Sequence, residues 1–347
     1  MKNAKTVLGL GLAALMGSAS LAAAQGGSLN IYNWGNYTNP ELIEKFQKET
    51  GISVTLTDYD SNDTALTRIK AGGHGFDIVV PSASYVPVWV EDGLILELDH
   101  AKLPNISNID PQWVDVPFDQ GRTHTVPWLW GTTGVVVDTS VYSGDPHTAD
   151  IFLNPPDELK GKINVIPEMS DVLGIVIRAV GGTDTCTDDR DVLRAARDAL
   201  VAAKPHWLAL DYGTVDAYVA GDLAAGVYWN GASMRVRLGN NNFVYGYPKT
   251  GYPIWMDNAA ILADAQNVEN AYKFLDFIMQ PEHAAMLSNF ARYANAIVGS
   301  GPFMDEDMRD APEIVIPEGL GDVGQFALTC SADVQQIHAQ IWTELLR

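Results

Sequence analysis

The sequence predicts an α/β fold with mainly parallel sheet, divided into two domains. Three observations carry that expectation: strand-like and helix-like segments alternate, turn residues separate them at short intervals, and the length exceeds what one core organises. Residues 29–32 read as a short strand. Thr38, Asn39 and Pro40 then open a helix, because a capping residue followed by Pro suits a first turn. Leu42, Ile43 and Phe46 share one face of it and Gly51 stops it. Residues 52–57 alternate apolar and polar, completing strand, helix and strand within about thirty residues, the pattern of a parallel βαβ unit. A second helix over 65–71 leads through Gly72, Gly73, His74 and Gly75 to an apolar strand over 76–80, ended by Pro81.

Farther on, 133–138 reads as a strand that crosses from one domain to the other. The alternation then repeats: a strand over 163–166, a helix over 170–180 ending at Gly181 and Gly182, and an amphipathic helix over 191–203. A short helix over 215–220 and a strand over 226–229 follow. Residues 259–262 form another strand, 268–279 a helix, Pro281 opens the next, and 333–346 close the chain. No internal repeat and no low-complexity segment interrupts the pattern.

The first residues set the expected compartment. Lys2 and Lys5 precede an apolar run over 7–21 and the small residues Ala22, Ala23 and Ala24, the make-up of a secretory signal peptide over 1–24, cut after Ala24. No Cys near that cut could carry a lipid, so the chain is expected free in an exported compartment, the bacterial periplasm. Cleavage removes two lysines and leaves 20 basic against 43 acidic residues, a net charge of about −23. That sign argues against nucleic acid, which needs basic surface, and attracts small cations. The two cysteines, Cys186 and Cys330, are expected to pair once exported, which would make a mid-chain loop and the C-terminal region neighbours.

Ligands of open α/β sheets sit beyond the carboxyl ends of the strands, so the loops 33–37 and 82–85 are candidate ligand loops. A turn-like Lys249, Thr250, Gly251 and Tyr252 precedes a stretch in which Trp255 and Asp257 stand two apart. In an extended chain they point to one side and offer an indole beside a carboxylate, a pairing that suits an amine. A core Trp beside a solvated Asp would look the same. Glu168 and Asp171 are three apart at a helix start, which fits a shared ligand face or complementarity to the helix dipole. Trp229 before Asn230 and Gly231 fits a ligand wall or a core Trp before a turn. The candidates Trp34, Tyr37, Tyr85, Glu168, Asp171, Trp229, Trp255 and Asp257 all fall at strand-to-loop junctions.

Taken in order, Ile31 to Trp34, Thr50 to Ile52, Phe76 to Ser82, Trp130 to Gly134, Trp229 to Gly231, Trp255 to Asp257 and Tyr293 resemble the polyamine-binding periplasmic proteins, the spermidine and putrescine receptors of ATP-driven importers. The resemblance spans essentially the whole exported chain and implies a two-lobed periplasmic binding protein fold, type II-like. Each lobe would be a mixed, mostly parallel sheet flanked by helices, with hinge crossovers between them: 25–133 with 255–300, and 134–254 with 301–347. It implies Trp34, Tyr37, Trp229, Trp255 and Tyr293 as an aromatic box, Glu168, Asp171 and Asp257 as ammonium acceptors, and Ser84 and Tyr85 at the rim. The partners implied are a polyamine and an ABC transporter membrane permease, for a monomeric protein without cofactor. Two positions depart from the family pattern. Asn36 stands where an acid is common, after Gly35 in place of a hydroxyl residue, and Ser331 lies near a position that holds a ligand-contacting Gln in some members.

Catalysis has little support in the residues: there is no His-Glu-x-x-His, no Gly-x-Ser-x-Gly and no phosphate loop. Asp58, Asp60 and Asn62 imitate the start of a calcium loop, but Asp63 replaces the Gly and Ile69 the bidentate Glu, so no metal site is expected. The alternatives to a polyamine receptor are a receptor for thiamine, a quaternary amine or a sugar, and an exported transferase on the same fold.

Overall fold

The structure, a computed structural model, describes residues 26–347. The expected signal peptide and its cut after Ala24 lie outside the described residues. Strands β1 (Ser28–Trp34), β2 (Ser53–Tyr59), β3 (Ile78–Val79), β4 (Val126–Asp138) and β5 (Ile163–Val165) come first in the chain. They are followed by β6 (Ala209–Leu210), β7 (Ala225–Trp229), β8 (Phe243–Gly246), β9 (Tyr252–Ile261) and β10 (Gly324–Phe326). Their spatial order is β2-β1-β3-β9-β4-β7-β5-β6, with β10 beside β9 and β8 beside β4.

Both ends of this path are parallel: β1 with β2 and β3, and β5 with β6 and β7. The first βαβ unit closes through the helix Pro40–Thr50, capped by Asn39, whose side chain accepts from the Glu41 N–H at 2.8 Å. Gly51 ends it at φ 71°, a left-handed position that glycine takes without a Cβ penalty. The next helix, Asn62–Lys70, starts three residues before the apolar periodicity does, because Ser61 caps the Thr64 N–H. The strand expected over 76–80 shrinks to Ile78 and Val79.

The middle of the path is antiparallel and made by two long strands. From Val126 to Thr132, β4 pairs with β9; from Thr133 onward it leaves β9 and runs between β7 and β8. The segment 133–138 is thus the second half of a thirteen-residue strand. Likewise 252–258 and 259–261 are one strand, β9, which reaches β3 at one end and β10 at the other. Asn230 and Gly231, read as a turn, instead open the helix Asn230–Gly239. The Asn230 amide accepts from the Thr132 N–H and donates to the Glu313 carbonyl, which holds that helix start against β4.

Two apolar cores flank this arrangement. One gathers Leu29, Ile31, Phe46, Trp128, Met256 and Phe274; the other gathers Val135, Val137, Ile163, Ile175, Leu193 and Phe243. Burying each such side chain stabilises by about 1.5–3 kcal/mol. The two halves of β4 belong to different cores, and Trp229 packs against both. The tail ties them again: Phe326 of β10 meets Trp113 and Phe118 edge-on, while Ile341 and Leu345 of the helix Ala332–Leu346 enter the second core. Between these, Cys330 is bonded to Cys186 with Cα atoms 5.1 Å apart. No helix among the described residues is long and apolar enough to cross a membrane.

Candidate functional site

The candidate residues meet where β4 and β9 pass between the cores. Alternation along β9 puts Trp255 and Asp257 on one side and Met256 and Asn258 on the other. The second pair is held by buried Arg122, which donates to Asn258 Oδ1 at 2.8 Å, to Met256 Sδ at 3.0 Å and, through Nε, to the Trp113 carbonyl. Asp257 is buried and accepts from Ser82 Oγ at 2.6 Å. Ser82 is itself fixed by Asn62, whose amide both donates to its hydroxyl and accepts from its N–H, each at 3.1 Å. Burial pushes the Asp257 carboxyl up to about 6, with Asp171 adding to the rise and Ser82 and Tyr37 opposing it.

The Tyr37 hydroxyl is close enough to influence that carboxyl yet outside hydrogen-bonding geometry, so it stands as a buried polar atom without a partner. The Trp255 indole N–H is in the same position. Tyr37 meets Tyr293 edge-on at 6.0 Å and Tyr293 meets Trp255 edge-on at 4.9 Å, forming one aromatic wall. Trp255 lies flush on β4 only because residue 131 is glycine. A Cβ there would sit 2.5 Å from Trp255 Cζ2 and 2.4 Å from Asn230 Oδ1. Trp34 is half-buried at the end of β1, its indole N–H on the Val80 carbonyl at 3.0 Å and its ring tilted over Tyr59.

The second core supplies the opposing carboxylates. Asp171, in the first turn of the helix Met169–Ala179, accepts from Thr133 Oγ1 at 2.6 Å and Trp229 Nε1 at 3.3 Å. Glu168 precedes the helix without capping it. Its Oε1 accepts from Tyr212 Oη at 2.8 Å, and Tyr212 stacks on Trp229 with centroids 6.0 Å apart. The two acids therefore bind side chains across the cleft wall and do not act as helix caps. Burial raises both; Glu168 reaches about 7, with Asp171 and Asp63 contributing and Tyr212 opposing.

At the rim the Tyr85 hydroxyl donates to Asp63 Oδ1 at 2.8 Å, and the Tyr85 phenol is raised by burial, by Asp63 and by Glu168. Ser84 points its carbonyl at the Thr329 hydroxyl; Ser82, two residues earlier, makes the carboxylate contact. Asn36 is exposed at φ 54° at the turn tip, and among the described residues no hydrogen bond ties its side chain to the cluster. Asn62, Asp63, Thr133 and Tyr212 are the members that sequence reasoning missed, whereas Ser82 opens the candidate loop 82–85. Ser82 follows Pro81, which ends the strand expected over 76–80, a position that marks a ligand loop; Tyr212 carries no comparable signal. Among the described residues no group of three His, Cys, Asp or Glu is placed to hold a metal ion. The chemistry on offer is a set of aromatic rings beside buried carboxylates, suited to ammonium groups joined by apolar chain.

Comparison with known proteins shows the family of the chain. The family model of bacterial extracellular solute-binding proteins matches residues 41–314. The chain is 30% identical over 332 residues to the spermidine/putrescine-binding periplasmic protein of Escherichia coli K12, covering 93% of this chain and 94% of that one. It is also 30% identical to the putrescine-binding periplasmic protein PotF of the same organism, covering 99% and 98%. Among solved structures, the spermidine/putrescine ABC transporter substrate-binding protein PotD of Streptococcus pneumoniae superposes with a TM-score of 0.83 at 26% identity, over 92% of this chain and 98% of that one. The chain belongs to the bacterial extracellular solute-binding protein family.

Proposed function

We propose that this protein is a periplasmic receptor that captures a polyamine, spermidine or putrescine, between two lobes and delivers it to the membrane permease of an ABC importer. The observation that carries the reading is that Asp257 and Asp171, from the two cores, are both buried, each held by a hydroxyl, and lie beside the aromatic side chains Tyr37, Tyr293, Trp255 and Trp229. Two buried like charges raise each other's pKa; two ammonium groups on one ligand relieve both at once. The methylene chain between them gains from the walls of Tyr37, Trp229, Trp255 and Tyr293, and cation–π contacts add about 0.5–2 kcal/mol each. The names of the relatives, spermidine/putrescine-binding and putrescine-binding, support the same ligand class.

The lobes are 25–133 with 255–300 and 134–254 with 301–347, a division that follows the change of partners along β4. The ligand bridges them, so its binding favours the closed arrangement in which its charges are buried. The protein acts as a monomer and carries out no catalysis. Titration calorimetry with putrescine, cadaverine, spermidine, spermine and agmatine tests the reading. Micromolar or tighter binding of at least one is expected, and failure of all five below millimolar overturns it.

A further inference from the structure

We infer that Tyr212 is a positioning residue for ligand binding: its hydroxyl fixes the Glu168 carboxylate and its ring backs Trp229, so that one loop sets an acid and an aromatic face together. The inference rests on the polyamine reading and deepens it, by naming what holds two of its binding groups in place. The strands β6, β5 and β7 lie side by side and run parallel. Tyr212 follows β6 by two residues, Glu168 follows β5 by three, and Trp229 ends β7. All three side chains therefore come from the carboxyl ends of neighbouring parallel strands, where such sheets gather ligand contacts.

Tyr212 touches both of the others directly. Its hydroxyl donates to Glu168 Oε1 at 2.8 Å, and its ring stacks on Trp229 with centroids 6.0 Å apart and planes 23° apart. Trp229 in turn donates to Asp171 Oδ2 at 3.3 Å. Glu168 and Asp171 flank the same helix start, so the contacts close a ring through Glu168, Tyr212, Trp229 and Asp171. Asp171 has a second support in Thr133, whereas among the described residues Tyr212 is the one side chain that hydrogen-bonds Glu168.

The loop itself does not need the Tyr212 side chain. Buried Asn164 donates to the Asp211 carbonyl at 3.0 Å, and the Asp211 carboxylate accepts from the Gly213 N–H at 2.7 Å. Gly213 stands at φ 62°, where a Cβ would come within 2.8 Å of Asn164 Nδ2. Thr214 then caps the helix Val215–Ala220 through the Ala217 N–H. The loop is pinned on both sides of Tyr212, and its ring is 47% exposed, so it is no core residue. What the ring and hydroxyl contribute is their hold on Trp229 and Glu168.

That hold has an electrostatic consequence. The titratable groups that face Glu168 are Asp171 on its own helix, Asp63 and Tyr85 from the first core's side, and Tyr212, which itself feels Asp60. Burial, Asp171 and Asp63 push the Glu168 carboxyl up, and the donated Tyr212 hydrogen bond opposes them by favouring the charged form. Removing the hydroxyl alone leaves the rise unopposed, so more of Glu168 is neutral at pH 7 and a cation must displace more protons to bind.

The test measures putrescine affinity by calorimetry at pH 7 and pH 8.5, with ligand-free melting temperatures, in wild type, Tyr212→Phe, Tyr212→Leu, Glu168→Gln and the Glu168→Gln, Tyr212→Phe pair. Tyr212→Phe keeps the ring and is expected to melt as wild type does. It should bind about fivefold more weakly at pH 7 and within about twofold of wild type at pH 8.5, where Glu168 is ionised in both. Tyr212→Leu also loses the stack, and should stay about threefold or more below wild type at pH 8.5. On the Glu168→Gln background, Tyr212→Phe should cost nothing further, because the two act as one unit. Wild-type affinity of Tyr212→Phe at pH 7, a loss equal at both pH values, an undiminished loss on the Glu168→Gln background, or full recovery of Tyr212→Leu at pH 8.5 would overturn the role of Tyr212 and leave the receptor reading standing. Wild-type protein that binds no polyamine would overturn both.

Discussion

Polyamine binding should release protons, because the ligand needs ionised carboxylates that the empty slot holds partly neutral. Glu168 stands at about 7 and Asp257 at about 6, while primary amines of the ligand stay protonated well above pH 8. At pH 8 about nine-tenths of Glu168 and nearly all of Asp257 are ionised; at pH 6 about a tenth and about half are. Discharging these protons costs about tenfold in affinity at Glu168 and about twofold at Asp257 between those pH values, together about 20-fold or about 1.8 kcal/mol. At pH 7 binding should expel about 0.6 proton, about 0.5 from Glu168 and about 0.1 from Asp257. Calorimetry at pH 6, 7 and 8 in two buffers of different ionisation enthalpy reads both quantities. The ligand-free protein has the opposite dependence. A carboxyl raised by folding stabilises the fold below its ordinary value, and that contribution is lost as pH rises through 6 to 7, so the empty protein should melt lower at pH 8 than at pH 5.5. Affinity constant within twofold from pH 6 to 8, with no buffer dependence of the enthalpy, would refute the claim that these two acids bind the ligand charges.

Asp257→Asn removes the charge that Ser82 orients and is expected to weaken binding at least tenfold, about 1.4 kcal/mol; unchanged affinity by calorimetry would return Asp257 to a structural role. Gly131→Ala drives a methyl into Trp255 and Asn230, and is expected to weaken polyamine binding at least fivefold and lower ligand-free stability by about 1–3 kcal/mol. Wild-type affinity and melting in that variant would show that the wall yields freely. Cys330→Ser opens a link between residues 144 apart and should lower stability by about 2–5 kcal/mol in denaturant unfolding. Dithiothreitol should reproduce that loss in the wild type and add nothing in the variant.

The elements most legible in the sequence are those whose local chemistry and tertiary role agree. The helix Pro40–Thr50 carries its cap Asn39, its Pro and its terminal Gly51 around one apolar face, and it forms as that pattern dictates. The long strands were harder. Val135, Val136 and Val137 announce the end of β4, but Pro127 and the bulge between Pro127 and Leu129 disguise its beginning. What keeps that half extended is pairing with β9, more than a hundred residues away, which no local window contains. Asn230 and Gly231 mislead for a related reason. They have the composition of a turn, yet Asn230 spends its amide on Thr132 and Glu313, and a helix follows.

The site divides along the same line. Trp255 and Asp257 share a side because strands alternate, so their partnership could be read two residues at a time. Asn62, Ser82 and Asp257 form an equally direct relay, with contacts at 3.1 and 2.6 Å, but its members come from three segments and a serine or asparagine in a loop has many ordinary uses. Asp63 was visible only as the residue that spoils a calcium loop. In the fold its carboxylate accepts from the Tyr85 phenol at 2.8 Å, a partner from a different segment. A calcium loop bends sharply at glycine to wrap one ion, whereas here a helix capped by Ser61 begins at Asn62.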